Sequence, residues 1–171
     1  MTLLRHGTGR IAVALSLLVL TVVSLGPAGA GLPDGACWEY RLAEKKFAKL
    51  TNEARSADGL VRLKLDPELS RVARKHTSDM VATGQLFHTP PEVLGALVTR
   101  WRKLGENVGT GDTVAALQAA FMASQTHRDN ILKPGYRFIG VGTKRADGKL
   151  WVTVIFESRR NPGTTLPMPD C

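Results

Sequence analysis

Apolar residues recur at helical spacing through most of the chain and at strand spacing near its end. Tyr40, Ala43, Phe47, Leu50 and Ala54 recur every three or four residues with charges on the other face, which predicts an amphipathic helix closed by Asp58-Gly59. Residues 60–65 alternate as a short strand or extended link. Asp66 before Pro67 marks a second helix, because the carboxylate can accept from free first-turn N–H groups and proline fits the first helical position. Leu69, Val72, Ala73, His76 and Met80 form its inner face, and Gly84 suits its exit. Pro90-Pro91 forces a break before a third helix with Val93, Leu94, Leu97, Val98 and Trp101 as its apolar side, ended by Leu104-Gly105. Asp112 is placed to cap a fourth helix running through Val114, Leu117 and Phe121. From Phe138 the period falls to two. Residues 138–144 and 150–156 are strand-like, and Asp147-Gly148 between them is a hairpin signal. Residues 158–171 contain Pro162, Pro167 and Pro169 and read as an irregular tail. Helices first and a hairpin last predict an α+β fold with helices packed on a small sheet.

The N-terminal stretch follows a different pattern. Arg5 and Arg10 form a basic region, residues 11–25 are apolar or small, and Ala28-Gly29-Ala30 offers a cleavage site. This is the layout of a secretory signal peptide over residues 1–30. An uncleaved anchor is the rival reading, but about 15 apolar residues fall short of the roughly 20 that a bilayer span needs. Residues 31–171 then form a single domain, with its core at about 40–157 and no second apolar run to span a membrane. Removing Arg5 and Arg10 lowers the formal charge from +8 to +6. The basic residues are scattered, apart from Arg100, Arg102 and Lys103 and from Arg159-Arg160, with no aromatic-interleaved stripe, so nucleic acid is not an expected partner. A secreted location follows, with attachment to an anionic envelope surface compatible with the charge. The two cysteines, Cys37 and Cys171, sit at the extremes of the mature chain, and in an exported protein one disulfide is the expected use. Two free thiols or pairing between chains are the alternatives, and metal binding by two cysteines so far apart is a weaker third.

Candidate chemistry lies where the apolar patterns break. His76 is on an apolar helix face and reads as a buried histidine bonded to a backbone or side-chain partner, with Asp79 as one option. His88, in Phe87-His88-Thr89, falls on a connection, where functional side chains concentrate. Glu106 and Asn107 follow Gly105. Asn107 suits turn hydrogen bonds, whereas Glu106 can serve as a metal ligand, a base or half of an ion pair. His127 lies in Ser124-Gln125-Thr126-His127-Arg128-Asp129-Asn130-Ile131-Leu132, where Ser124 can cap a short turn.

Together and in order, these motifs carry a resemblance. Leu50-Thr51-Asn52-Glu53-Ala54-Arg55, Gly59-Leu60, Leu69 through Ala73 to His76, Ser78-Asp79-Met80, Phe87-His88, Gly105-Glu106-Asn107-Val108, the 124–132 segment, Ile139-Gly140-Val141-Gly142 and Trp151 are similar to motifs of the CAP superfamily in its short bacterial form. This superfamily comprises cysteine-rich secretory, antigen 5 and pathogenesis-related 1 proteins. The resemblance implies a three-layer α–β–α sandwich with a small antiparallel sheet between helical layers. It also implies a cleft of two histidines and two acids that in some members holds a divalent metal. Here the histidines match His88 and His127 and the first acid matches Glu106; residues 121–125 supply no second acid.

The expected cleft thus comprises His88, Glu106, His127, Asn107 and Ser124, with His88, Glu106 and His127 as a candidate set for zinc or calcium. The expected function is a secreted binding or interaction module whose partner is a lipid, a cell-wall component or a protein. The alternative is a metal-dependent hydrolase acting on peptides or cell-wall material. A Ser124–His127–Glu106 set is the nearest approach to a catalytic triad, but no nucleophile-elbow glycines surround Ser124. Catalysis is therefore the weaker expectation. For the cysteines, alkylation without reductant should add no mass to the intact mature protein. Labelling of both Cys37 and Cys171 would refute the bridge.

Overall fold

A computed structural model describes residues 37–158. The expected signal segment, the tail from residue 159 onward and Cys171 lie outside the described residues, so the Cys37–Cys171 pairing does too. Five helices and four strands follow in the order α1 (Leu42–Ala57), β1 (Lys64–Leu65), α2 (Pro67–Thr83), α3 (Pro91–Leu97), β2 (Lys103–Gly111), α4 (Val114–Ala123), α5 (Gln125–Ile131), β3 (Phe138–Ala146) and β4 (Lys149–Ser158). The sheet order is β1-β3-β4-β2.

The fold is α+β in three layers. Val152, Val154 and Phe156 of β4 join Phe47, Val114, Leu117, Phe121 and Ile131 in one core, beneath α1, α4 and α5. Ile155, on the opposite face of the same strand, joins Leu69, Val72, Ala73, Leu94 and Val98 in a second core beneath α2 and α3. This division follows from the two-residue period of a strand. The Asp147-Gly148 hairpin turn forms as expected, with both residues at positive φ (48° and 74°), the pattern of a type I′ turn. Asp66 caps α2 by accepting from the Leu69 N–H at 3.1 Å, and Gly84 ends it in the left-handed region.

Four sequence expectations are corrected. The sheet is mixed, because β1 runs parallel to β3, with Lys64 opposite Phe138 and Leu65 opposite Ile139. A parallel partner is possible here because a long connection, α2 through α5, separates the two strands. Second, Gly105 and Glu106 do not end a helix. The glycine-rich residues 103–111 form β2, paired with β4 along all nine residues. Their poor strand propensity is overridden by this complete pairing. Third, α3 stops at Leu97 because Val98 turns extended to enter the second core. The Thr99 N–H and hydroxyl then donate to the Glu68 carboxylate, and Trp101 folds back to donate to the Gly95 carbonyl at 2.9 Å. Fourth, Thr113 rather than Asp112 caps α4, accepting from the Ala116 N–H at 3.1 Å, while Asp112 pairs with Lys149. The helix begins one residue later than expected, so the threonine occupies the capping position.

Two buried polar side chains of α1 tie distant segments together. Asn52 brackets Leu63, donating to its carbonyl and accepting from its N–H at 2.9 and 2.7 Å. Arg55 is fully buried and donates to the Val61, Ile131 and Lys133 carbonyls. Burial lowers the Arg55 pKa, and Arg137 lowers it further.

The layers approach most closely at Gly140 and Gly142 of β3. A Cβ on Gly140 would lie 2.2 Å from the Leu69 carbonyl carbon, and one on Gly142 would lie 2.3 Å from that of Ala73. Backbone cannot yield as a flexible side chain can. Gly140→Ala should therefore lower stability by about 3 kcal/mol or prevent folding, an overpacking cost at or above the usual range. Gly135→Ala meets nothing within 4 Å and should leave the urea midpoint nearly unchanged.

Candidate functional site

The candidate site lies along β2, the strand at one side of the sheet. Successive residues of a strand face opposite ways. Glu106 is opposite Ile155 and so faces the α2–α3 layer, while Asn107 is opposite Val154 and faces the layer that contains α5. Gly105 precedes them because a Cβ there would lie 2.4 Å from the Tyr136 hydroxyl and 2.8 Å from Asn130 Oδ1.

Glu106 is nearly buried, and three donors converge on its carboxylate. His88 Nδ1 stands 2.9 Å from Oε1, the Thr89 N–H donates to Oε1 at 2.9 Å, and the Thr89 hydroxyl donates to Oε2 at 2.7 Å. An ionised carboxylate only accepts, so His88 carries a proton on Nδ1 and turns Nε2 outward. The His88 side chain is 57 % exposed against 5 % for Glu106. His76 supports the same loop from beneath. Its Nε2 donates to the Phe87 carbonyl at 2.8 Å, and its ring meets the Phe87 ring edge-on at 4.9 Å. The same Nε2 lies 4.0 Å from Glu106 Oε2. The backbone partner expected of His76 is present, whereas Asp79 pairs with Lys75 instead.

Asn107 performs the structural work. It is fully buried, donates to the His127 carbonyl at 3.0 Å and accepts from Asn130 Nδ2 at 2.9 Å. It fixes α5 against β2 and does not line the cleft. The His127 ring lies on Phe121, with centroids 4.7 Å apart. Desolvation holds the His127 pKa below the ordinary 6.5, and the nearby His88 lowers it further. Two histidines, reaching the strand from different layers, are thus electrostatic neighbours.

Ser124 begins α5 without a side-chain cap. Among the described residues no hydrogen bond joins it to His127, so the catalytic-triad geometry is not formed. The three-ligand metal set fares similarly. Among the described residues no group of three His, Cys, Asp or Glu side chains is placed to hold a metal ion. Glu106 stands behind His88, its oxygens already receiving protein donors. His76, Thr89, Phe121 and Asn130 were missed as site residues. The Phe87-His88-Thr89 motif contained Thr89, but its donor role depends on a strand that the sequence did not reveal.

Residues 48–156 match the family model for CAP, the cysteine-rich secretory protein family. The chain belongs to the CAP family. It is 34% identical over 115 residues to the uncharacterized protein YkwD of Bacillus subtilis (strain 168), covering 63% of this chain and 44% of YkwD. An extracellular protein containing a SCP domain from Bacillus anthracis is similar at 30% identity and TM-score 0.59, over 68% of this chain and 40% of that one. An outer surface protein from Borrelia burgdorferi shares the fold at 20% identity and TM-score 0.63, over 68% and 92% of the two chains. The chain spans less than half the length of the curated relatives it matches. Among the described residues no helix is long and apolar enough to cross a membrane.

A lowered histidine pKa costs stability in acid. Well above pH 6.5 His127 is neutral both folded and unfolded, so it contributes no pH dependence there. Below that, the unfolded chain takes up the proton first and stability falls, levelling off once the folded state is also protonated. An NMR titration should place the His127 midpoint below 6.5. His88→Ala should raise that midpoint only part of the way back, because desolvation is the larger cause. A return to the full unperturbed value would overturn this account.

Proposed function

We propose that this CAP domain is an exported binding module whose His88–Glu106–His127 cleft recognises an extracellular ligand. The observation that carries this reading is the full engagement of Glu106. A general base must reach the proton it removes, and this carboxylate is nearly buried and already holds His88 and Thr89. The cleft therefore offers recognition groups: an oriented His88 Nε2 at the surface and a largely neutral imidazole packed on Phe121. The occupant is a lipid, a cell-wall component or a protein at the cell exterior. The similarity to an extracellular protein and an outer surface protein supports that location. Hydrolysis of peptides or wall material is the alternative, and no observation at Ser124 or Glu106 favours it.

A divalent metal is the second reading, supported by one contact. A carboxylate on the far nitrogen of a histidine is the usual support for a metal-binding imidazole, and Glu106 stands on His88 Nδ1 in that way. Such an ion would rest on His88 and His127 with Glu106 behind. Nitrogen donors suit zinc, whereas calcium requires oxygen.

Mature protein should bind one of three probes: lipid vesicles, solubilised peptidoglycan or an extracellular protein fraction. His88→Ala should weaken that binding tenfold or more, with no peptide, ester or wall fragment cleaved. Turnover that disappears in Glu106→Ala would replace this reading with the hydrolase. In a zinc titration, Glu106→Gln should reduce affinity about 10–100-fold if the ion is held as described. Zinc uptake unaffected by His88→Ala and His127→Ala would place it elsewhere.

A further inference from the structure

The opposite side of the sheet holds a second cavity that the His/Glu cleft does not explain. Because β1 is only two residues long, it covers β3 at Phe138 and Ile139, and among the described residues no strand pairs with the rest of that edge. Side chains close part of the gap. The Val141 N–H donates to the Ser70 hydroxyl, and Arg41 donates to the Thr143 carbonyl. Beyond them lies a cavity of about 510 Å³, lined by Arg41, Ser78, Thr143, Lys144 and Arg145 among others.

Its charge is one-sided. Among the described residues three cationic residues line it and no carboxylate does. The nearest acids are committed elsewhere. Glu44 receives the Arg74 guanidinium through two bonds, at 2.8 and 2.6 Å, so the Arg41 guanidinium, 3.9 Å away, shares an already neutralised partner. The Asp112 carboxylate pairs with Lys149 at 2.7 Å, and Arg145 donates to the Asp112 carbonyl while acting on that carboxylate more weakly than Lys149 does. Among the described residues no acid pairs with Lys144. Lys144 lies opposite Trp151 and Arg145 opposite Leu150, so consecutive residues bring charge to the cavity from both faces of the sheet. The Ile139 carbonyl and the Val141 N–H both point to this edge, so the two-residue period turns the N–H groups of Thr143 and Arg145 the same way. The Ser78 hydroxyl adds a further donor on the cavity wall.

We propose that this cavity binds a phosphorylated sugar or polyol. Guanidinium forks, an ammonium and backbone N–H groups are the donors that phosphate oxygens take. Three cations match a dianionic phosphate monoester better than a carboxylate. The volume exceeds that of a bare phosphate ion and falls in the usual range for small-molecule sites, roughly 300–1,000 Å³. The hydroxyls of a sugar or polyol would occupy the remainder, against Ser78 and Thr143.

The test is calorimetric titration of the whole mature protein at low salt with glucose 1-phosphate, glycerol 3-phosphate, inorganic phosphate and glucose, alongside phosphatidylglycerol vesicles. Both phosphate esters should bind, inorganic phosphate more weakly, and glucose not measurably. The double variant Lys144→Gln/Arg145→Gln, altered at exposed positions, should lose at least tenfold in affinity for the esters. His88→Ala should bind them unchanged, which separates this cavity from the other cleft. Equal ester affinity in the double variant, or binding to the vesicles alone, would overturn the proposal.

Discussion

Glu106 and Asn107, adjacent on one strand, act on opposite layers of the molecule. Strand pleating turns the carboxylate toward the loop that follows α2 and the amide toward α5. Because β2 is paired along its whole length, the two side chains are held at a fixed separation. The loop bearing His88 and the helix bearing His127 are therefore positioned from one rigid element. Displacing either side chain would shift one histidine relative to the other, although the histidines come from different layers.

This arrangement also accounts for the unequal state of the two imidazoles. His88 is directed by a carboxylate and remains in solvent. His127 lies on an aromatic ring beside another histidine, and both circumstances favour its neutral form. One solvated, oriented ring thus neighbours one that resists charging.

Much of the architecture was readable in the chain. The α1 and α2 patterns, the Asp66 and Gly84 boundaries and the Asp147-Gly148 turn are local signals, and each acts within a few residues. What escaped was non-local. Residues 103–111 carry three glycines and little β-branching, and only their pairing with β4 makes them a strand. With β2 hidden, Glu106 was placed at a helix end, and its donors His88 and Thr89 could not be assigned. The motif order grouped His88, Glu106 and His127, and the structure sets His88 on Glu106 and within electrostatic reach of His127. That order missed the supporting ones, His76, Thr89 and Asn130, because support depends on which neighbour lies across a gap.

Arg55 bears on how the chain comes to be folded. Its guanidinium is sealed in the interior, and two of its three acceptors, Ile131 and Lys133, belong to the final third of the sequence. An amino-terminal piece ending before them would have to bury a cation without those carbonyls, a cost that holds it open. Completion of the domain therefore waits on its last segments.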